Sequence, residues 1–166
     1  MSSKAVACFR DPNVKGDVLF TQKQGGIGGI GGIEINALFT KLPKGEHGFH
    51  IHRAGDLRGE GCAGACEHYH RGQPSNHGGT PGSYPRHTGD LGNIVSDTPY
   101  TFFLKKVTLS DLLGRSVIVH ADPDDLGLGS EKDSLTTGHS GARIGCALIG
   151  RVTCSESRKT RKIKHH

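Results

Sequence analysis

A chain of 166 residues is long enough for one domain with a real core and too short for two. An apolar fraction of 33%, no tryptophan and 26 glycines argue against a helical bundle and for a loop-rich all-β domain. So small a core calls for added support from a metal or a crosslink. The formal charge of +5 would suit nucleic acid, but its location excludes that partner: Arg158, Lys159, Arg161, Lys162 and Lys164 lie in the tail with one acid, Glu156, leaving residues 1–154 at 16 − 15 = +1.

The opening "MSSKAVACFRDPNV" has no apolar run of signal-peptide length, and no segment is long and apolar enough for a membrane span. A soluble, cytoplasmic protein is expected, whose five cysteines would be reduced thiols or metal ligands. Strand-like runs then follow one another between turn signals: "KAVACFR", "DVLFTQ", "IEINALF", "GFHIH", "NIVSD", "YTFFLKK", "SVIVHA" and "CALIGRV". Many short strands with Gly and Pro punctuation predict a Greek-key barrel or sandwich. "GGIGGIGGI" (25–33) contains a formal G-x-G-x-x-G match, but no helix follows to receive a pyrophosphate, so it reads as a pliant hairpin connection. Residues 54–90 and 121–142 are rich in Gly, Pro, Asp and Ser, and loops of that length are usually functional. Residues 155–166 read as a basic, solvated, disordered tail, and His165 and His166 fit a tag remnant.

The histidines concentrate where the loops begin. In "HGFHIH", strand alternation puts His50 and His52 on one face and Phe49 and Ile51 on the other. Two imidazoles held side by side form half a site for copper or zinc, although surface histidines would give the same pattern. His47 falls on the opposite face and is expected to be a hydrogen-bonded structural residue. The long loop adds His68, His70, His77 and His87, with Asp90 three residues later, a set that suits tetrahedral zinc. His120 closes "SVIVH" on the face opposite Val117 and Val119.

"HGFHIH", "HGG…RHTGDLGN", "VIVHADPDDLG" and "TTGHSGARIGCALIG" resemble, in order and nearly in register, the signature segments of the intracellular copper/zinc superoxide dismutases, from Lys4 to Thr153. The resemblance implies an eight-stranded Greek-key β-barrel (an immunoglobulin-like sandwich) with two long functional loops, a dismutase domain over residues 1–154, and antioxidant defence. Copper would be held by His50, His52, His68 and His120, and zinc by His68, His77, His87 and Asp90. One copper and one zinc per subunit would share the His68 ring. Asp124 matches the carboxylate that links a copper histidine to a zinc histidine, and His70 falls where the family has no ligand. Cys62 and Cys146 match the family's disulfide, an exception to the reduced-thiol expectation. Cys8, Cys66 and Cys154 match no family role, and Cys66, two residues before His68, raises the hazard of mispairing with Cys62 or Cys146. Arg143 takes the place of the arginine that guides superoxide, and His68 would deliver a proton to the forming peroxide.

Several departures qualify the likeness. Thr136 stands where many members carry lysine, with Lys132 nearby, so slower but still salt-sensitive capture of superoxide is expected. The span from Asn93 to His120 is several residues shorter than usual. The homodimer that the family implies would use Ala54–Gly55, Leu113–Gly114 and Arg151, of which Ala54 and Arg151 replace bulky apolar residues. Ala142 and Ile144 flank Arg143 where some members carry prolines, which implies that a copper chaperone is dispensable. The divergent loops would also fit a virus-encoded member acting in host cytoplasm. Two rivals stay open: a non-catalytic copper-chaperone-like domain, against which "CAGAC" lacks the C-x-x-C spacing, and a zinc-only module, which would need neither His120 nor Arg143.

Overall fold

Alternation of apolar and polar residues carries the first three strands, β1 (Lys4–Arg10), β2 (Lys15–Lys23) and β3 (Gly32–Lys41), into an antiparallel meander. Ala5, Ala7 and Phe9, then Val18 and Phe20, then Ile33, Ile35 and Phe39 all face inward and are fully buried. The computed structural model describes residues 3–27 and 29–152; the tail and Cys154 lie outside them. The glycine-rich stretch is the β2–β3 connection, since Lys23 pairs with Gly32 on either side of it.

The chain then crosses to a second sheet at β4 (His47–His52), which is followed by β5 (Asp90–Ile94). It returns for β6 (Tyr100–Lys105) and crosses again for β7 (Ser116–His120) and β8 (Arg143–Leu148). With a last short strand β9 (Gly150–Arg151), the resulting orders are β6-β3-β2-β1-β9 and β5-β4-β7-β8, a Greek-key sandwich. Phe49, Ile51, Val117 and Val119 meet the first sheet across the shared core. Two single-turn helices, α1 (Leu109–Leu112) and α2 (Ser134–Thr137), and a 3-10 turn at Glu60–Ala65 are the helical content among the described residues.

Two strand boundaries differ from expectation. β5 begins three residues before "NIVSD", because "TGDLGN" looks like a loop, yet Leu91 and Ile94 are fully buried and need a strand to carry them inward. "CALIGRV" is not one strand: β8 stops at Leu148 and β9 (Gly150–Arg151) pairs with β1 in the other sheet. The eighth strand thus changes sheets at Ile149, and the ninth is its two-residue continuation.

Candidate metal centre

Both long loops fold back over the outer face of β4, so every residue of that strand is buried, the histidines included. His50, in the middle of β4, is flanked on one side by β5 and on the other by β7; an isolated bridge between His52 and His68 draws the first loop alongside. Each ring uses one nitrogen on an outer partner. His50 Nε2 donates to Asp124 Oδ2 (2.7 Å), His52 Nδ1 to the carbonyl of Cys66 (2.8 Å) and His120 Nδ1 to that of Gly141 (3.1 Å). The second nitrogens turn inward: His52 Nε2 and His120 Nε2 are 3.4 Å apart. One ligand atom from each of His50, His52, His68 and His120 lies within 4.8 Å of the others.

On the far side of the His68 ring, three imidazoles converge on one carboxylate oxygen. His68 Nδ1, His77 Nδ1 and His87 Nδ1 lie 2.9, 3.0 and 3.5 Å from Asp90 Oδ1. Asp90 Oδ2 is fixed separately by the backbone N–H groups of Gly78 (3.0 Å) and His87 (2.7 Å). The tightest foursome here is His50, His68, His77 and Asp90, with His50 where the resemblance put His87. His50 has only Nδ1 to offer and already belongs to the first group, whereas the Nδ1 of His87 is buried and uncommitted.

Fit to metal ions rests on orphaned atoms. His50 Nδ1, His68 Nε2, His77 Nδ1 and His87 Nδ1 are buried and have no hydrogen-bond partner, the only such side-chain atoms among the described residues. Buried polar atoms are normally satisfied; a cation on each side of His68 would satisfy all four. The first group is all nitrogen, which suits copper, and the second adds a carboxylate, which suits zinc.

Burial keeps the first group neutral and its lone pairs available. Burial, reinforced by the neighbouring His68, pushes His52 down to about 2, and burial also lowers His120 to about 4 despite its bond to Gly141. His50 is held well below the ordinary histidine value for the same reason. At Asp90, burial opposes ionisation, but the hydrogen bond with His68 and the close approach of the His77 and His87 rings outweigh it and hold the carboxyl far below its usual range. His77 goes the other way: against the cost of burial, Asp124 and Asp90 raise it to about 9.

Asp124 ties the two halves together, because its other oxygen accepts His77 Nε2 at 2.7 Å. It is itself clamped by Asn93, whose side chain donates to the Asp124 carbonyl (2.9 Å) and accepts from its N–H (2.7 Å). Gly138 passes so close that an added Cβ would lie 2.0 Å from Asp124 Oδ1, and its φ of +71° also demands glycine. Asn93 had no role in the sequence reading; the signal was a polar residue closing "DLGN" where a strand should carry an apolar one. Arg86, also missed, binds the carbonyls of Gly79, Thr88 and Asp90 and braces the loop beneath His87. A lone arginine after proline gives no signal of that kind.

Arg143 opens β8 opposite His120, and its guanidinium donates to the carbonyls of Cys62 (2.7 Å) and Cys66 (2.5 Å). The Cys66 carbonyl therefore holds both the His52 ring and the arginine. Cys62 and Cys146 form a disulfide that ties this loop to β8. His47 lies between the carbonyls of His120 and Pro43, 2.8 Å from each. His70 has both nitrogens engaged, one with Gln73 and one with the N–H of Thr88, and belongs to neither group.

A Greek-key sandwich whose outer wall carries two adjoining ligand groups on either side of one imidazole is the architecture of a two-metal β-barrel protein. Residues 14–149 match the family model described as copper/zinc superoxide dismutase. A Cu-Zn superoxide dismutase of Paramecium bursaria Chlorella virus 1 is 43% identical over 154 residues, covering 88% of this chain and 77% of the viral protein. An extracellular Cu-Zn superoxide dismutase of Haemonchus contortus is 41% identical over 125 residues, covering 71% of this chain and 67% of that protein. Among solved structures, the clock protein EA4 superposes with a TM-score of 0.76 at 34% identity, over 91% of this chain and 96% of that one. The chain belongs to the copper/zinc superoxide dismutase family. It is an oxidoreductase that uses copper and zinc to convert superoxide into dioxygen and hydrogen peroxide.

Proposed function

We propose that His50, His52, His68 and His120 hold the copper, that His68, His77, His87 and Asp90 hold the zinc, and that Arg143 receives the superoxide. The observation that carries this reading is the set of four buried ring nitrogens with no protein partner, divided between the two sides of His68. Copper supplies the one-electron exchange with superoxide, and zinc, which has no redox chemistry, supplies fixed charge. The protein does the rest. Arg143 spends two N–H groups on carbonyls and keeps the others to orient a small anion by charge-assisted hydrogen bonds. Nε2 of His68 would hold either the copper or a proton, never both, while its Nδ1 stays anchored beside Asp90. Asp124 fixes the tautomers of His50 and His77, so that both present Nδ1 inward.

The dismutase unit is taken to span residues 1–154, with 155–166 as a tail. A homodimer would form around Gly55 and Gly114, which pack so closely that a Cβ on Gly55 would meet Gly114 O at 2.1 Å, with the half-exposed Leu148 beside them. Ala142 and Ile144 beside Arg143 fit copper loading without a chaperone. No helix among the described residues is long and apolar enough to cross a membrane; the cytoplasm is proposed as the site of action. Metal analysis combined with a dismutation assay tests the core of this reading: two metals per chain with His68-dependent turnover are expected, and turnover that survives His68→Ala refutes the proton role.

A further inference from the structure

The stretch Cys62–Ala63–Gly64–Ala65–Cys66 carries two sulfurs, and the metal centre uses neither. Cys62 is paired with Cys146, 84 positions away, while Cys66 keeps a half-buried thiol. Both lie at positive φ, 54° and 62°, where residues other than glycine seldom sit unless their surroundings hold them. One guanidinium spans both, since Arg143 binds the two carbonyls together, and their N–H groups donate to Gly59 and Ala63 within the turn. The same turn packs on β8, where Arg143 and Cys146 are three residues apart. The Cys66 sulfur also lies within electrostatic reach of two cations, Arg53 and Arg143. A thiol, a disulfide and two guanidiniums therefore share one corner of the molecule.

We propose that Cys66 is a thiol-exchange site that converts the Cys62–Cys146 disulfide into a local Cys62–Cys66 disulfide. The Cys66 sulfur attacks Sγ of Cys62, one S–S bond forms as another breaks, and Cys146 leaves as a thiolate that takes up the proton Cys66 gave up. No electrons are gained or lost overall, so no oxidant is required. The negative charge passes between sulfurs alongside Arg53 and Arg143. Loop length drives the change: closure over 4 positions (66 − 62) rather than 84 favours the local pair by about 100-fold, from the three-halves power of the ratio, in a chain whose loop has come loose. The long-range pair prevails only while β8 presents Cys146 to the turn. After exchange, the first loop is released from β8 although the sulfurs remain oxidised.

The test uses the full-length, metallated protein. It is equilibrated in glutathione buffers from oxidising to reducing, quenched in acid, alkylated at every thiol and mapped by non-reducing mass spectrometry. A species with Cys62 linked to Cys66 and Cys146 alkylated is expected to build up before full reduction. It should be absent from Cys66→Ser and from Cys66→Gly, the second of which suits the positive φ and guards against misfolding. The Cys62–Cys146 link should also be lost at least tenfold faster in the parent than in either variant. Alkylated Cys66 in every molecule, with equal rates of loss, overturns the proposal. Faster loss in the parent without the Cys62–Cys66 species overturns it too, because the attack would then fall on Cys146. The map reads sulfur pairing and not turnover, so failure here leaves the metal-site reading intact.

Discussion

Removing the Asp124 carboxylate should weaken zinc more than copper. Asp124→Ala deprives two buried ring donors, His50 Nε2 and His77 Nε2, and the half-buried N–H of Leu126 of their acceptor, each at 2.7 Å. One unsatisfied buried donor costs about 1–3 kcal/mol, and loss of a partner that orients a metal-binding histidine lowers affinity by about 10–100-fold, or about 1.4–2.7 kcal/mol. The two histidines are not equally exposed to that loss. His50 is held in register within β4 by strands on both sides. His77 sits in the long loop with one backbone bond, from its N–H to Leu135 O at 2.8 Å, so the carboxylate is its main restraint. Zinc affinity in the variant should therefore fall by the full 10–100-fold and copper affinity by less. Competition with a chromophoric chelator, one metal at a time, measures both. Zinc affinity within about threefold of the parent, or a larger loss for copper, refutes the reasoning.

His68→Ala should abolish the spectral signature of a shared ligand and lower turnover, read by absorption spectroscopy of the metallated protein beside a dismutation assay. Cys146→Ser should lower unfolding stability by about 4–5 kcal/mol, the chain-entropy value for a closed loop of this size, measurable by urea denaturation without reductant. The rate of superoxide capture should fall as ionic strength rises, and a rate indifferent to salt would remove the steering role from Arg143. His139, hydrogen-bonded to Asp133 at 2.6 Å, is raised above the ordinary histidine value mainly by that bond. Its positive charge is thus complete below about pH 6.5 and lost as pH rises through the raised value. Capture should slow over that window in the parent and stay level in His139→Asn, as a pH profile of kcat/KM would show.

The histidines that the structure gathers on β4 and its loops were legible because residue type and spacing single them out. His50 and His52 alternate with Phe49 and Ile51, and that pattern set both the face and the register of β4. Strands β1, β2, β3 and β6 of the first sheet were equally plain, and β1 coincides with "KAVACFR" to the residue. Tertiary packing decided what the pattern could not. β5 starts at Asp90 because the first long loop ends there, and local composition at "TGDLGN" points to a turn. The sheet change at Ile149 depends on where β1 lies, which no window around "CALIGRV" contains. Roles filled by backbone are invisible in a side-chain reading: the carbonyls of Cys62, Cys66 and Gly141 anchor Arg143, His52 and His120, and any residue could supply them.

Because the oxygen of residue 66 is shared by an imidazole and a guanidinium, the peptide unit there tolerates almost no displacement, while the side chain it carries is not part of the bargain. Evolution is left with an uneven latitude at this turn. The side chain of residue 66 is open to drift, including the arrival of an extra sulfur, but an insertion or deletion between Cys62 and His68 would displace the His52 ring and the Arg143 guanidinium in a single stroke.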